Sequence, residues 1–273
     1  MPTVAASVRE ALGSATDALE AAGVETPRLD AELLLAEATG RDRASLAAEP
    51  EAGIDPPAAR SFGEMVRRRV RREPVAYILG HKGFRNIELA VDRRVLIPRP
   101  ETELLVEVAL DLDPRSVLDV GTGSGAVALA IAAELPDTSV TATDLSETAL
   151  EVARANAARL GLARRVRFLQ GSVPERERFE LTLANLPYVR GSEWQELAPE
   201  TTRYEPRDAL VAGPSGLEAI RELVPAVGAG VLALEVGAGQ AREVVSLMRG
   251  AGFDRPETRR DLAGIERVVV GSR

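Results

Sequence analysis

The chain of 273 residues contains no cysteine and one histidine, His81. The lack of cysteine excludes disulfides, thiolate catalysis and zinc sites with cysteine ligands. One histidine cannot build a multi-histidine metal site, and it leaves few options for a histidine base. We therefore expect no metal centre, and a mechanism that works without a cysteine nucleophile.

Long apolar runs are also missing, since none reaches the roughly 18 residues of a membrane-spanning helix. The first residues lack a basic region followed by an apolar stretch, so we expect no secretory signal, no membrane partner and a cytoplasmic location. Acidic residues outnumber basic ones by 42 to 34, which gives a formal net charge of −8. Because phosphate binding normally requires a basic surface, this balance disfavours nucleic acid as a direct substrate.

The composition that remains is typical of a folded globular chain, with 45% hydrophobic and 28% charged residues. At roughly 150 residues per domain, the length predicts about two domains. The first part reads as helices, because apolar residues recur at helical spacing in Val4, Val8, Leu12, Ala15 and Leu19. A later helix carries arginines at 67, 68, 69, 71 and 72, which we interpret as a solvated face rather than a docking patch for an acidic partner.

A change of pattern follows residue 72. Glycines and prolines separate short apolar runs between 73 and 97, and residues 87–91 alternate like a strand, which predicts a hairpin. From residue 116 onward strands alternate with helices, an order that predicts a parallel, doubly wound α/β sheet. The predicted strands are 116–120, 139–143, 166–169, 181–184, 231–236 and 268–270.

A glycine-rich loop follows the first of these strands. Gly121, Thr122, Gly123, Ser124 and Gly125 stand between a strand and a helix, where glycine lets the backbone turn sharply and approach a ligand closely. About twenty residues later Asp144 ends the next strand, where a carboxylate can accept hydrogen bonds from ribose hydroxyls. Nicotinamide enzymes and methyltransferases share this pattern, so it does not distinguish between them.

The segment Asn185-Leu186-Pro187-Tyr188 directly follows the predicted strand 181–184. A planar NH2 group is a poor nucleophile, and two acceptors that take its hydrogens would hold it and favour positive charge on its nitrogen. The Asn185 side-chain oxygen and the Leu186 carbonyl can be these acceptors, since Pro187 has no N–H to compete and biases Leu186 to extended backbone. Tyr188 adds a flat face, so the loop favours methylation of a planar amino or amide nitrogen.

With the glycine loop, this segment resembles class I methyltransferases that act on amide or exocyclic amino nitrogens. Further motifs narrow the resemblance to the peptide chain release factor N5-glutamine methyltransferase family, over about residues 73–273. These motifs lie at residues 97–103, 203–210, 213–217, 234–237 and 260–267.

The resemblance implies a class I methyltransferase fold: a doubly wound seven-stranded sheet, a small all-α N-terminal domain and a β-hairpin linker. It implies a helical substrate-recognition domain over 1–75, a hairpin linker over 76–97 and an S-adenosyl-L-methionine-dependent methyltransferase domain over 98–273. The implied reaction methylates N5 of the glutamine in the Gly-Gly-Gln loop of release factors. Residues Gly121 to Gly125 would then hold the methionine part of the donor, Asp144 its ribose and Val173 its adenine. Asn185 would touch donor and substrate, and Leu186, Pro187 and Tyr188 would complete the substrate pocket.

Two positions depart from the family pattern. Leu186 stands where the family most often has proline, and Asn-Leu-Pro-Tyr is also the form in ribosomal RNA adenine dimethyltransferases. Ser172 stands where the family often has aspartate near the adenine. An adenine-N6 methyltransferase acting on rRNA or DNA therefore remains the alternative, and a donor-binding regulatory protein without catalysis is a third reading.

Overall fold

The computed structural model describes residues 6–174, 177–228 and 230–273. Val4, which the first helical pattern included, lies outside these residues. The chain forms two compact units, Met1–Gly80 with Ala198–Tyr204, and His81–Leu197 with Glu205–Arg273. The sequence-based division assigned residues 198–204 to the domain over 98–273, whereas the structure groups them with the N-terminal helices.

The described helices are α1 (Val8–Ala21), α2 (Pro27–Thr39), α3 (Arg43–Ala48), α4 (Pro56–Val70), α5 (Val75–Leu79), α6 (Glu103–Leu112), α7 (Ala126–Glu134), α8 (Glu147–Arg159), α9 (Pro199–Tyr204), α10 (Glu218–Ala226) and α11 (Ala241–Gly250). Short 3-10 turns lie at Pro100–Thr102, Gly191–Glu196 and Arg207–Ala209. Among the residues that the structure describes, none of the helices combines the length and the apolar character needed to cross a membrane.

The described strands are β1 (His81–Phe84), β2 (Ile87–Ala90), β3 (Ser116–Val120), β4 (Ser139–Asp144), β5 (Val166–Gln170), β6 (Leu181–Ala184), β7 (Val189–Arg190), β8 (Val211–Gly213), β9 (Val231–Glu235), β10 (Asp254–Arg260) and β11 (Glu266–Ser272). β1 and β2 form the predicted antiparallel hairpin, and β7 pairs with β8.

The first unit is built on the apolar stripes of its helices. Leu12, Leu19 and Leu34 are buried in one cluster, as the helical spacing predicts. α1 begins at a capping box in which the Glu10 amide donates to Ser7 Oγ at 3.2 Å and the Ser7 amide donates to Glu10 Oε2 at 2.9 Å. Such a cap stabilises a helix start by about 1 kcal/mol.

The arginines at the end of α4 do not form one solvated face, so that interpretation is wrong for part of the run. Arg69 is buried, and it donates to Asp30 Oδ2 at 2.7 Å and to Glu200 Oε1 at 2.7 Å. Arg72 donates to both oxygens of Glu200, at 2.6 and 2.7 Å. Because Glu200 lies on α9, these charge-assisted bonds hold α9 within the first unit.

The second unit contains a seven-stranded sheet in the order β10-β11-β9-β6-β3-β4-β5. The five strands from β9 to β5 are parallel, whereas β11 runs antiparallel to β9 and β10. The chain proceeds from β3 to β4 and β5 on one side and then returns to place β6 on the other side of β3. The direction of winding therefore reverses between β3 and β6, where doubly wound sheets bind their ligands. The predicted α/β class and seven-stranded sheet are confirmed.

The hairpin is anchored on the sheet unit through Asn156 of α8, which is fully buried. Its side chain accepts from the Ala90 amide at 2.7 Å and donates to the Ala90 carbonyl at 3.0 Å. The same Nδ2 donates to the Ser124 carbonyl at 2.9 Å. One buried amide thus fixes the hairpin and the glycine loop to each other.

Candidate active site

Two loops start side by side at the carboxyl edge of the sheet. Val120 ends β3 and pairs with Ala184, which ends β6. The segments that follow these residues are the glycine loop, residues 121–125, and the Asn loop, residues 185–188. The two motifs that the sequence singled out are therefore neighbours at the point where the winding reverses.

Direct packing joins the two loops at Gly121. A Cβ on Gly121 would lie 3.1 Å from Leu186 Cδ2 and 3.5 Å from the Asn185 carbonyl oxygen. The φ angle of Gly121 is +76°, a left-handed conformation that side chains rarely adopt. Glycine at this position thus permits both the turn and the close approach of the Asn loop.

The rest of the glycine loop combines a left-handed backbone with buried hydroxyls. Gly123 and Gly125 have φ angles of +56° and +86°. Open space surrounds the Cβ position of Gly123, whereas a Cβ on Gly125 would lie 2.9 Å from Leu129 Cδ1. Thr122 and Ser124 are buried, so the loop exposes mainly backbone at Gly123.

Asp119 lies beneath this loop and is 2% exposed. Its Oδ2 accepts from Thr122 Oγ1 at 2.7 Å and from the Ala128 amide at 3.2 Å, so it ties the loop to the first turn of α7. Burial raises the pKa of Asp119 to about 6, against the lowering effect of these hydrogen bonds. The sequence motif included Asp119 but assigned it no role.

Asp144 reaches the glycine loop from the end of β4. Its Oδ2 accepts from the Gly123 amide at 2.9 Å, and its Oδ1 accepts from the Ser146 amide at 2.9 Å. The cap of α8 is Ser146, which accepts from the Ala149 amide at 3.2 Å. Each carboxylate oxygen of Asp144 thus accepts one hydrogen bond from the backbone and keeps a further lone pair that can accept from a ligand.

The four residues of the Asn loop are half-buried. Asn185 Nδ2 donates to Thr102 Oγ1 at 3.0 Å, which ties the loop to the turn before α6. The Tyr188 carbonyl accepts from Gln240 Nε2 at 2.9 Å, and Gln240 Oε1 accepts from the Gly237 amide at 2.8 Å. The loop is thus held at both ends by side chains distant in sequence.

Tyr188 packs tightly within this frame. A Cβ on Gly237 would lie 3.2 Å from Tyr188 Cδ2, and one on Gly216 would lie 2.6 Å from the Tyr188 carbonyl oxygen. Burial, and to a smaller extent the negative charge of Glu235, raises the pKa of Tyr188 to about 12. The phenol therefore stays neutral at physiological pH and presents a ring rather than a base.

Val173 follows β5, on the far side of β4 from the Asn loop. It is half-buried and packs against the same apolar cluster as Leu186. The neighbouring Ser172 is exposed. The Gly171 amide donates to the Asp144 carbonyl at 2.9 Å, so this segment leaves the sheet next to Asp144.

Three acidic residues from the further sequence motifs complete the surroundings. Glu205 is buried and accepts from Arg99 Nη2 at 2.5 Å and from the Ile97 amide at 3.1 Å. Glu103 accepts from the Arg85 amide at 3.0 Å, which ties it to the hairpin. Glu235 is buried at the end of β9. The motifs around 97–103, 203–210 and 234–237 contain these residues, yet burial and pairing become visible only in the fold.

Comparison with protein families matches both parts of the chain. Residues 10–80 match a model described as the PrmC N-terminal domain, and residues 117–204 match a model described as a methyltransferase domain. Proteins named release factor glutamine methyltransferase are similar over nearly the whole length. The one from Moorella thermoacetica is 42% identical over 98% of this chain and 99% of its own, and the one from Caulobacter vibrioides is 39% identical over 94% and 93%.

Solved structures show a similar fold. The hMettl16 catalytic domain, solved in complex with a MAT2A 3′UTR hairpin, matches with a TM-score of 0.56 over 83% of this chain and 84% of that chain. Its sequence is 13% identical, so the likeness concerns the fold alone.

Proposed function

Because the chain belongs to the release factor glutamine methyltransferase family, we propose that it methylates N5 of the glutamine in the Gly-Gly-Gln loop of peptide chain release factors, with S-adenosyl-L-methionine as the donor. The full-length relationship and the methyltransferase domain identify the chain as a methyltransferase enzyme. The observation that carries the finer proposal is the contact between Gly121 and the Asn loop. This contact supports the proposal because it joins the glycine loop, which we assign to the donor, to the Asn loop, which we assign to the substrate amide.

The residues present fit the donor. The backbone at Gly123 is open, so the glycine loop, Gly121 to Gly125, would hold the methionine part. Asp144 has lone pairs for ribose hydroxyls, and Val173 offers an apolar surface for the adenine. When bound, S-adenosyl-L-methionine supplies a methyl group on a positively charged sulfur. The acidic side chains Asp119 and Asp144 give this end of the sheet a charge that suits a cation.

The Asn loop would bind the substrate amide. Asn185 Oδ1 and the Leu186 carbonyl each accept one of the two N–H groups, which holds the nitrogen in place and favours positive charge as it gains a methyl group. Pro187 lacks an N–H that would compete for the same acceptors. Tyr188 supports the amide plane with its neutral ring, and the surplus proton leaves to water afterwards.

A direct test incubates the purified chain with S-adenosyl-L-methionine and a purified release factor. We expect the mass of the release factor to rise by one methyl group, located by peptide mapping on the glutamine of the Gly-Gly-Gln loop. A release factor with this glutamine replaced by alanine is the matched substrate control. Methyl transfer into rRNA or DNA, with none into the release factor, would instead establish the adenine-N6 alternative.

The variant Asn185→Ala tests the role of the loop. It removes one of two acceptors, so we expect methylation to fall at least a hundredfold, a loss typical of a deleted transition-state hydrogen bond. Donor binding measured by calorimetry should stay within a few-fold of wild type. Near-normal turnover by Asn185→Ala would contradict the assignment of Asn185.

Two further parts of the proposal follow from the reaction. We assign the helical domain over 1–75 to recognition of the release factor body, and we place the enzyme in the cytoplasm, where release factors act on ribosomes. Pull-down of a release factor by the full chain, and its loss when surface residues of α1 to α4 are changed, tests the first part.

A further inference from the structure

A cleft, which we call the β7–β8 cleft, opens close to the Asn loop. It is lined by Gly191 and Ser192, which follow β7, by Arg207, and by residues 211–214, which form β8 and the start of the next turn. Its volume of about 610 Å³ lies within the range of ligand-binding sites. Because β7 begins directly after Tyr188, the chain runs from the Asn loop straight into one wall of the cleft.

The walls of the β7–β8 cleft are low and bring backbone groups near its surface. The pairing of the two strands shifts register between Val189 and Arg190, so Ala212 is the extra residue of a bulge. A bulge leaves its extra residue outside the strand pairing. Opposite, a Cβ on Gly191 would lie 3.7 Å from the Gly213 carbonyl oxygen, an ordinary contact distance. Small residues on both walls therefore allow the main chain of another segment to approach closely.

Arg207 gives the β7–β8 cleft a positive charge. Its guanidinium carbon lies 5.7 Å from the centroid of the Trp194 ring, which is a cation–π geometry. The side chain is exposed, and within the described part of the chain it forms no hydrogen bond or ion pair. The ring thus holds the guanidinium by one face, while the N–H groups at its edge stay available to a ligand.

We propose that the β7–β8 cleft binds the main chain beside the methylated glutamine, and that Arg207 donates to carbonyl oxygens of this segment. The inference rests on the proposed function, in which the glutamine lies in a loop of a protein. Such a loop continues on both sides of the glutamine, and β7 leads from the Asn loop to the cleft. A peptide chain presents carbonyl oxygens to a guanidinium and N–H groups to a bulged strand. Trp194 is a positioning residue, because it acts through Arg207.

The first test uses the fluorescence of Trp194, which is the only tryptophan of the chain and lies against Arg207. The full chain is titrated with a capped Gly-Gly-Gln peptide and with two longer peptides, extended on the amino-terminal or the carboxyl-terminal side. We expect one longer peptide to change the emission saturably, while the short peptide and the donor leave it unchanged. As a methyl acceptor, this longer peptide should have a KM roughly tenfold below that of the short one, since hydrogen bonds to a charged group are strong.

Variants of the cleft separate peptide binding from chemistry. Arg207→Gln should raise the KM for the longer peptide and for a release factor roughly tenfold, with little change in kcat or in the KM for the donor. Trp194→Leu should also raise the KM for the release factor, and Arg207→Gln should add little in that background. The matched control is Arg249→Gln, which changes an exposed arginine at the end of α11 and should behave like wild type.

Four outcomes decide the proposal. A wild-type KM for the release factor in Arg207→Gln would overturn it, and so would longer peptides that bind no better than the short one. An emission change with a single-stranded RNA, and none with the peptides, would overturn it in favour of a nucleotide ligand. A wild-type chain that leaves release factors unmodified, but whose Trp194 emission responds to a longer peptide only when Arg207 is present, would refute the proposed function and support the cleft.

Discussion

Replacing Gly121 with alanine tests whether the glycine loop and the Asn loop are packed as one structure. The new Cβ would meet Leu186 Cδ2 at 3.1 Å, closer than an ordinary van der Waals contact, on a backbone with a φ of +76°. The backbone cost is about 1–2 kcal/mol, since left-handed geometry disfavours a side chain by that amount. The crowding of Leu186 should add about 1 kcal/mol, at the lower end for overpacking, because the methyl group of a flexible side chain can move.

Gly123→Ala is the matched control. Its φ of +56° imposes similar backbone strain, yet no atom lies within 4 Å of the added Cβ. In urea unfolding without ligand, we expect the free energy of unfolding to fall by about 1 kcal/mol more in Gly121→Ala than in Gly123→Ala.

Leu186→Ala completes a double-mutant cycle. The smaller side chain removes the crowding atom, so the loss from Gly121→Ala should shrink in the Leu186→Ala background to the value for Gly123→Ala. Equal losses for the two glycine variants, together with a coupling energy below about 0.5 kcal/mol, would show that the loops are not in contact and would refute the reasoning.

Two further predictions concern buried charges. Glu200→Gln removes the negative partner that Arg69 and Arg72 share, so the free energy of unfolding in urea should fall by about 3 kcal/mol. A decrease below about 0.5 kcal/mol would contradict the pairing. Burial raises the pKa of Glu200, but hydrogen bonds from Arg72 and Arg69 lower it more, so the net pKa lies below 4.5. Wild type should therefore lose stability as the pH falls below 4.5, and Glu200→Gln should lose less. Burial raises the pKa of Asp119 from 3.8 to about 6, so the folded state binds the proton more tightly and stability should fall as the pH rises through this window. Asp119→Asn should flatten the stability curve between these pH values, and a slope equal to that of wild type would argue against a buried carboxyl.

The sequence predicts the parallel part of the sheet well because its strands are short apolar runs. The apolar pattern does not predict β10, because Asp254–Arg260 consists mostly of charged and exposed residues on the sheet edge. The short helices α3 and α5 are missed for a similar reason, because one turn of helix shows no repeating apolar stripe. Edge strands and single turns are stabilised by their neighbours rather than by their own pattern.

The glycine loop and the Asn loop are also predictable, because the backbone freedom of glycine and the acceptors of an Asn-x-Pro-Tyr segment depend on local sequence. The burial of Glu235 is not, because a glutamate in a strand is ordinarily solvated and only the fold buries it. Arg69 illustrates the same limit. It looks like any other arginine of its run until α9 brings Glu200 to it.

The assignment of α9 to the helical unit has a consequence for protein engineering. A fragment that ends at Gly80 would lack Glu200 and leave Arg69 and Arg72 without this partner. A fragment that starts at His81 would carry α9 without the helices that it packs with. Exchange of the helical unit between relatives should therefore transplant two separate stretches of sequence together, 1–80 and 198–204. Chimeras that swap the first stretch alone would mismatch the pairing of Asp30, Arg69 and Glu200.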